Sequence, residues 1–240
     1  MRSLVILPTY NERENLPLLV PALLEIERLR ILIVDDQSPD GTGQIADDLA
    51  RQYPGRIDVM HRTDRRGFGR SYIDGIKRSV REPVDLIGQM DADLSHDPAS
   101  IPALVAAIAD ADVALGSRYV AGGQIVNWPL RRRLLSRFAN FYIRSVTRLA
   151  VRDCTTGFRC WRRDALAAMP LDHFDSDGYS FLVEMLFVAS AMGNRIAEVP
   201  ITFVERRRGE SKLTSGVLLE SAVTPWRLVA RRQRSFRAMV

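Results

Sequence analysis

What most constrains this chain is a repeated alternation in its first half: a short apolar run, a turn, a helix-length segment, then another apolar run. Leu4-Val5-Ile6-Leu7, Arg30-Ile31-Leu32-Ile33-Val34, Ile57-Asp58-Val59-Met60, the stretch before Asp91 and Val113-Ala114-Leu115 read as strands. The intervening segments, about Glu14 to Glu27, Thr42 to Tyr53, Gly69 to Val80 and Pro98 to Ala109, read as helices. Asn11 or Asn15 is available to cap the first, and Gly41 breaks the chain before the second. Strands separated by helices imply a Rossmann-like α/β fold, with a parallel sheet covered on both faces. In such sheets ligands gather beyond the carboxyl ends of the strands. Pro8-Thr9-Tyr10, Asp35-Asp36, Arg62 to Arg70 and Asp91-Asp93 all fall at such ends.

The last of these carries the sharpest chemistry. Strand alternation puts Asp91 and Asp93 on one side, aimed out of the sheet edge. Two carboxylates aimed together repel unless a cation lies between them, and a divalent metal is the usual answer. Asp-x-Asp alone is common in loops and helix caps. Four polar strand ends on one rim are far more specific.

The chain has 240 residues and a net charge of +5, nearly all of its cations arginine, with Lys77 and Lys212 the only lysines. The excess points to anionic partners such as phosphorylated small molecules, acidic lipid surfaces or nucleic acid. Cys154 and Cys160 match neither a zinc spacing nor a disulfide framework, so a reducing compartment is expected. The run Leu4 to Leu7 is too short and too early for a signal peptide. The stretch Phe181 to Met192 is interrupted by Glu184 and too short to span a bilayer. The expected location is cytoplasmic, peripheral on the cytoplasmic face of a membrane.

The second half is less regular. Gly122-Gly123 to Pro129 reads as a loop. Leu130 to Ala150 sets apolar residues (Leu134, Phe138, Phe141, Ile143, Val146, Leu149) at helical spacing among Arg131, Arg132, Arg133, Arg137, Arg144 and Arg148. Such a helix either packs one stripe on the core with its arginines solvated, or lies among lipid headgroups. A buried helix is expected from Ser180 to Met192 and a strand from Ile196 to Phe203. From Val217 the tail is again apolar and arginine-rich.

At this point the chain resembles the inverting family 2 glycosyltransferases, and within them the dolichol- or polyprenol-phosphate mannose synthases. Three matching pieces mark the superfamily: Pro8-Thr9-Tyr10-Asn11-Glu12-Arg13-Glu14-Asn15, Val34-Asp35-Asp36-Gln37-Ser38-Pro39-Asp40-Gly41-Thr42 and Asp91-Ala92-Asp93-Leu94-Ser95-His96. Four more are specific to the lipid-phosphate group: Gly116-Ser117-Arg118-Tyr119, Asn127-Trp128-Pro129, Cys154-Thr155-Thr156-Gly157-Phe158-Arg159 and Arg206-Arg207-Arg208-Gly209-Glu210-Ser211-Lys212-Leu213. Two positions depart from the pattern: Ser95 and Leu182 stand where similar enzymes tend to carry Gln. The first puts one polar contact near the metal or diphosphate in doubt and leaves the carboxylates untouched.

The resemblance implies a GT-A-type mixed, mostly parallel sheet flanked by helices, with a basic amphipathic helix at the acceptor side. It implies a single catalytic domain over 1–240: a nucleotide-sugar half (1–117), an acceptor half (118–213) and a basic tail (214–240). GDP-mannose is the implied donor, held by Pro8, Thr9, Tyr10, Glu12, Val34, Asp36, Asp91, Ala92, Asp93, Arg206 and Lys212. Arg66, Gly67 and Gly69 are candidates to close over the diphosphate. Mg²⁺ or Mn²⁺ is the implied cofactor, on Asp93 with Asp91 directly or through water, to offset charge on the departing nucleotide.

The implied acceptor is a polyprenyl phosphate. An anionic phosphate oxygen attacks without a general base, and no obvious base stands in these motifs; His96 is read as structural. A phosphate does need cations, and Arg118 and Arg132 are the candidates, with the hydroxyl of Ser136 beside them and Arg131 or Arg133 as substitutes. Asp91, Asp93, Arg118 and Arg132 are thus the expected catalytic set. One in-line displacement inverts the anomeric carbon. A membrane surface is an expected partner, a separate anchoring subunit is left open, and nucleic acid is not expected.

The nearest alternative is a UDP-sugar donor. A processive polysaccharide synthase lacks support, because no Gln-x-x-Arg-Trp motif or membrane span is present. A sugar nucleotidyltransferase would carry a glycine-rich loop after the first strand. A basic membrane- or RNA-binding protein without catalysis would not explain acids concentrated on the strand rim.

Overall fold

The computed structural model describes residues 1–174, 176, 178–205, 220 and 222–231. In chain order the elements are β1 (Ser3–Thr9), α1 (Leu16–Leu24), β2 (Leu29–Asp35), α2 (Thr42–Gln52), β3 (Ile57–His61), α3 (Phe68–Ser79), β4 (Leu86–Gln89) and α4 (Ile101–Ala107). There follow β5 (Val113–Ser117), β6 (Gln124–Val126), α5 (Leu130–Thr147), β7 (Arg159–Arg162), α6 (Arg163–Ala167), α7 (Gly178–Ala191), β8 (Ile196–Pro200) and β9 (Thr202–Val204).

Seven strands form one sheet in the order β3-β2-β1-β4-β7-β5-β8. All neighbours are parallel except β7, which runs antiparallel between β4 and β5. The expected mixed, mostly parallel sheet flanked by helices is the one observed. Its two faces follow from the period-2 alternation within each strand. On β1, Leu4 and Ile6 face a core shared with Tyr72 and Ile76 of α3 and the buried residues of α7. Val5 and Leu7 face the opposite core, with Leu16, Leu19 and Leu23 of α1 and Leu104 of α4. Gly75 lets α3 close on the sheet, since a Cβ there would lie 2.8 Å from Cγ2 of Ile6.

Four elements differ from the sequence expectation. Strand β7 carries no apolar alternation to announce it, because a fully buried arginine, Arg159, stands where a hydrophobic residue is expected. Pairing on both edges holds it, and Trp161 donates from Nε1 to Gln89 Oε1 at 2.8 Å. The loop before Pro129 contains β6, which pairs with β9 in a separate two-stranded sheet. The single strand expected from Ile196 to Phe203 is therefore two, with Ile201 between them. The fourth helix begins as a 3₁₀ turn at Pro98–Ser100, where Asp97 accepts from the N–H of Ala99 at 2.9 Å. Among the described residues no helix is long and apolar enough to cross a membrane.

Candidate active site

The carboxyl ends of β1, β2 and β4 open into a cleft of about 650 Å³. Pro8, Thr9, Tyr10, Glu12, Asp36, Arg66, Gly67, Asp91, Ala92 and Asp93 all line it. The fold thus brings together the residues proposed to hold the donor, with two exceptions among those described. Val34 is fully buried in the β2 core, and only its carbonyl is engaged nearby, accepting from Thr9 Oγ1 at 3.5 Å. Gly69 sits within α3 against the Phe181 ring, where a Cβ would approach to 3.0 Å. Arg206 and Lys212 lie outside the described residues.

Most cleft side chains are fixed by a partner. Asp36 is buried and accepts from Arg62 Nη1 and, at 2.9 Å, from the N–H of Gly67. Arg62 also donates from Nε to Asp74 at 2.7 Å. Burial by itself would lower the Arg62 pKa, but Asp74 and Asp36 override it and the net shift is upward. Arg66 donates to the Tyr10 hydroxyl at 2.7 Å, and Glu12 accepts from Asn15 Nδ2 at 2.6 Å. Asn15, expected as a cap, makes no side-chain cap bond to α1.

The acid pair sits just beyond β4. Asp93 Oδ1 accepts from the N–H of Ser95 at 3.1 Å and from its hydroxyl at 2.6 Å. Asp91 lies 3.4 Å from the Tyr72 hydroxyl and 3.7 Å from His96 Nε2. Burial first, then the Asp91 charge, pushes the Tyr72 pKa well up. Beneath the pair lies Arg159, a buried guanidinium that donates to the carbonyls of Thr156 (2.8 Å) and Cys154 (3.3 Å). Burial pulls its pKa down to about 10, against upward pulls that include Asp91. Arginine stays protonated even so, so a fixed positive charge lies under the carboxylates. Gly157 keeps the space beside Asp91 clear: a Cβ there would lie 3.2 Å from both of its carboxylate oxygens.

These residues suit a divalent ion in one respect and limit it in another. The Asp91 carboxylate borders a space that a methyl group on Gly157 would fill, and Asp93 lines the same two cavities. Yet no group of three or more His, Cys, Asp or Glu suited to a metal occurs among the described residues. An ion held by Asp91 and Asp93 would take its further ligands from other oxygens, as Mg²⁺ commonly does from phosphates.

Asp91 and Asp93 also line a second, mostly apolar cavity of about 160 Å³. Its walls include Trp128, Leu135, Ala139, Ile143 and Phe203, with Arg118, Arg132 and Ser136 among its polar groups. Arg132 pairs with Glu205 and stacks its guanidinium 4.1 Å from the Trp128 ring. The Ser136 hydroxyl accepts from Tyr119 at 2.7 Å. Arg118 is more committed than its expected role implies. It grips Asp153 from Nε and Nη2, both at 2.7 Å, and gives Nη2 to Thr155 as well. Arg131 and Arg133 are exposed and do not line the cavity.

His96 and Trp128 were readable as motif members but not as cavity walls. His96 is sandwiched between Phe158 and Phe203 at 4.9 and 5.1 Å. Both of its ring nitrogens and Trp128 Nε1 are buried without a hydrogen-bond partner. Tyr72 and Tyr179, which lines both cavities, were not singled out by sequence, and Arg159 stood in a motif without an assigned role. Their roles come from residues far away in the chain.

A cleft on the strand rim with charged side chains from three strand ends shares two carboxylates with a mostly apolar cavity, an arrangement suited to an enzyme that joins two substrates at one acid pair. The chain belongs to glycosyl transferase family 2, whose pattern matches residues 4–169, and is a glycosyltransferase. It is 45% identical over 234 residues to an undecaprenyl-phosphate mannosyltransferase of Micrococcus luteus, covering 96% of each chain. It is 44% identical over 238 residues to a polyprenol monophosphomannose synthase of Mycolicibacterium smegmatis, covering 98% of this chain and 90% of that one. Among solved structures, glucosyl-3-phosphoglycerate synthase of Mycobacterium tuberculosis with Mn²⁺, UDP and phosphoglyceric acid shares the fold. The TM-score is 0.69 at 16% identity, over 96% of this chain and 78% of that one.

Proposed function

We propose that this protein transfers mannose from GDP-mannose to a polyprenyl phosphate with inversion, releasing GDP and a β-mannosyl phosphoryl polyprenol, on the cytoplasmic face of a membrane. The observation that carries this reading is that Asp91 and Asp93 line both the strand-rim cleft and the apolar cavity. The names of the two relatives support the acceptor and the sugar.

In this reading the 1–117 half binds the nucleotide sugar. Tyr10, Glu12 and Asp36 face the nucleotide, with Pro8, Thr9 and Ala92 shaping the cleft floor. Arg62 and the N–H of Gly67 hold the Asp36 carboxylate in one orientation, so it meets a base N–H without reorganising. Asp91 and Asp93 would hold Mg²⁺ or Mn²⁺ together with the diphosphate, and such an ion stabilises charge on the departing GDP. Arg206 and Lys212 are proposed to add cations there.

The 118–213 half receives the lipid. Arg132 and Ser136 are proposed to orient the acceptor phosphate, with Arg118 as the fixed positive wall behind it. Phosphate oxygens would satisfy the orphaned N–H of Trp128, a group that otherwise costs about 1–3 kcal/mol to leave unpaired. The phosphate oxygen forms its bond to the anomeric carbon as the bond to GDP breaks, and no proton has to be removed first. The apolar walls take the first isoprene units.

The test is incubation with radiolabelled GDP-mannose, a short polyprenyl phosphate and Mg²⁺ or Mn²⁺, with UDP-glucose as the competing donor. A mild-acid-labile radioactive lipid from GDP-mannose is expected. A labelled lipid only from the UDP-sugar would overturn the donor, and no lipid product from either would overturn the reading.

A further inference from the structure

A third cavity, of about 420 Å³, lies on the opposite flank of α5 from the acceptor cavity. At 100° per residue, Leu135, Ala139 and Ile143 face the acceptor cavity, whereas Arg137, Asn140 and Arg144 line the other one. Arg118, Arg152, Tyr119 and Phe141 complete most of its wall, and among the described residues no carboxylate lines it. Asp153 neutralises Arg118. The side chains of Arg137, Arg144 and Arg152 make no hydrogen bond or ion pair among the described residues. Glu198, close by, accepts from the backbone N–H groups of Arg152 and Asp153 and not from a guanidinium. Three uncompensated guanidinium groups converging on one concavity repel one another until an anion joins them.

Between the two cavities α5 presents an apolar ridge to the outside. Leu130, Leu134, Phe138 and Phe141 are 68, 57, 65 and 65% exposed. On its far side Trp226, 60% exposed, donates to the Tyr142 hydroxyl at 2.8 Å. A ridge of large apolar side chains flanked by arginines is the pattern of a helix lying in the headgroup region of a bilayer. Phe141 belongs to both the ridge and the cationic cavity.

We propose that this cavity binds the phosphodiester headgroup of an anionic membrane lipid, at a site separate from the acceptor phosphate. The acyl chains lie along the Phe138–Phe141 ridge, and the bound headgroup sets the orientation of the molecule on the membrane so that the acceptor cavity faces the bilayer. The proposal rests on the membrane-docking part of the function given above, and not on the identity of the sugar or donor.

The experiment is vesicle co-sedimentation of the full chain without donor or acceptor. It compares phosphatidylcholine vesicles with vesicles containing phosphatidylglycerol, and the native protein with R137Q/R144Q and R137K/R144K. Binding is expected only to the anionic vesicles, with about a 25-fold loss for the glutamine pair at roughly fivefold per arginine. The lysine pair keeps the charge and loses the planar fork, so a loss of at least about threefold is expected. Lysine variants that bind as the native protein does would reduce the cavity to diffuse charge and overturn the proposal. So would equal binding to neutral vesicles, or displacement by inorganic phosphate as effective as by anionic vesicles. Turnover of a short, water-soluble polyprenyl phosphate is expected to be unchanged in both variants; its loss would assign these arginines to the acceptor instead. Headgroup-dependent binding without any mannosyl transfer would sink the function and leave this site standing.

Discussion

Replacing Asp153 by Asn tests the electrostatic frame of the acceptor cavity. Asp153 is fully buried and takes three hydrogen bonds from Arg118, two from the guanidinium at 2.7 Å and one from the backbone N–H at 3.0 Å. Asn keeps the volume but turns an N–H₂ towards a donor, leaving a buried cation without its counter-charge. Removing one partner of such a pair costs about 3–5 kcal/mol. The Tyr119, Trp128 and Phe203 rings, 5.3–5.5 Å from the guanidinium, soften this, so the lower end is expected. For a chain of this size that is a fall in Tm of about 6–12 °C, read by calorimetry or urea titration at neutral pH. The double change R118M/D153L removes both charges and should recover most of the loss. The pH dependence has a definite sign. Burial alone would raise the Asp153 pKa, but Arg118 holds it below its ordinary 3.8. Its contribution is therefore complete above that value and disappears only as pH falls through the lower folded value. The gap between native protein and variant should stay constant from pH 8 to about pH 5 and close only in stronger acid. A loss under about 1 kcal/mol, or a double variant as unstable as the single one, would refute the assignment of Arg118 as an ion-paired wall.

Asp93→Ala should lower turnover by at least about a hundredfold while the chain still folds, checked by circular dichroism; near-normal transfer would remove it from the ion site. Gly157→Ala should raise the Mg²⁺ or Mn²⁺ concentration needed for half-maximal activity, because its methyl would crowd both Asp91 oxygens at 3.2 Å; an unchanged metal titration would contradict this. Arg132→Ala should raise KM for the lipid phosphate about tenfold or more with little change for the nucleotide, and equal effects on both substrates would make it structural. Cys154 and Cys160 are buried, which pushes both thiols up to about 12. Neither should react with a thiol reagent at pH 8 until the protein unfolds, and stoichiometric labelling of the folded chain would contradict their burial.

The amino-acid sequence by itself determined the layered sheet and the rim on which the cleft lies. The short apolar runs of β1, β2 and β3 are set by adjacent residues, and the acids at Asp36, Asp91 and Asp93 follow their strands by one or a few residues, so both can be read locally. Residues 130–147 were legible as a basic helix, but not which stripe of it is buried: Asn140, Ile143 and Thr147 face the core while Phe138 and Phe141 face outwards. Only the tertiary structure decided what lies between those local pieces. Strand β7 exists because β4 and β5 satisfy both of its edges, and the buried Arg159 is held by the carbonyls of Thr156 and Cys154 while its Nη1 finds no partner among the described residues. Arg118 looked like an open phosphate ligand until Asp153, 35 residues away in the chain, was seen to hold it. The meeting of two cavities at one carboxylate pair is likewise a property of the packed chain. Burial and charge pairing are set by residues distant in sequence, and no local pattern records them.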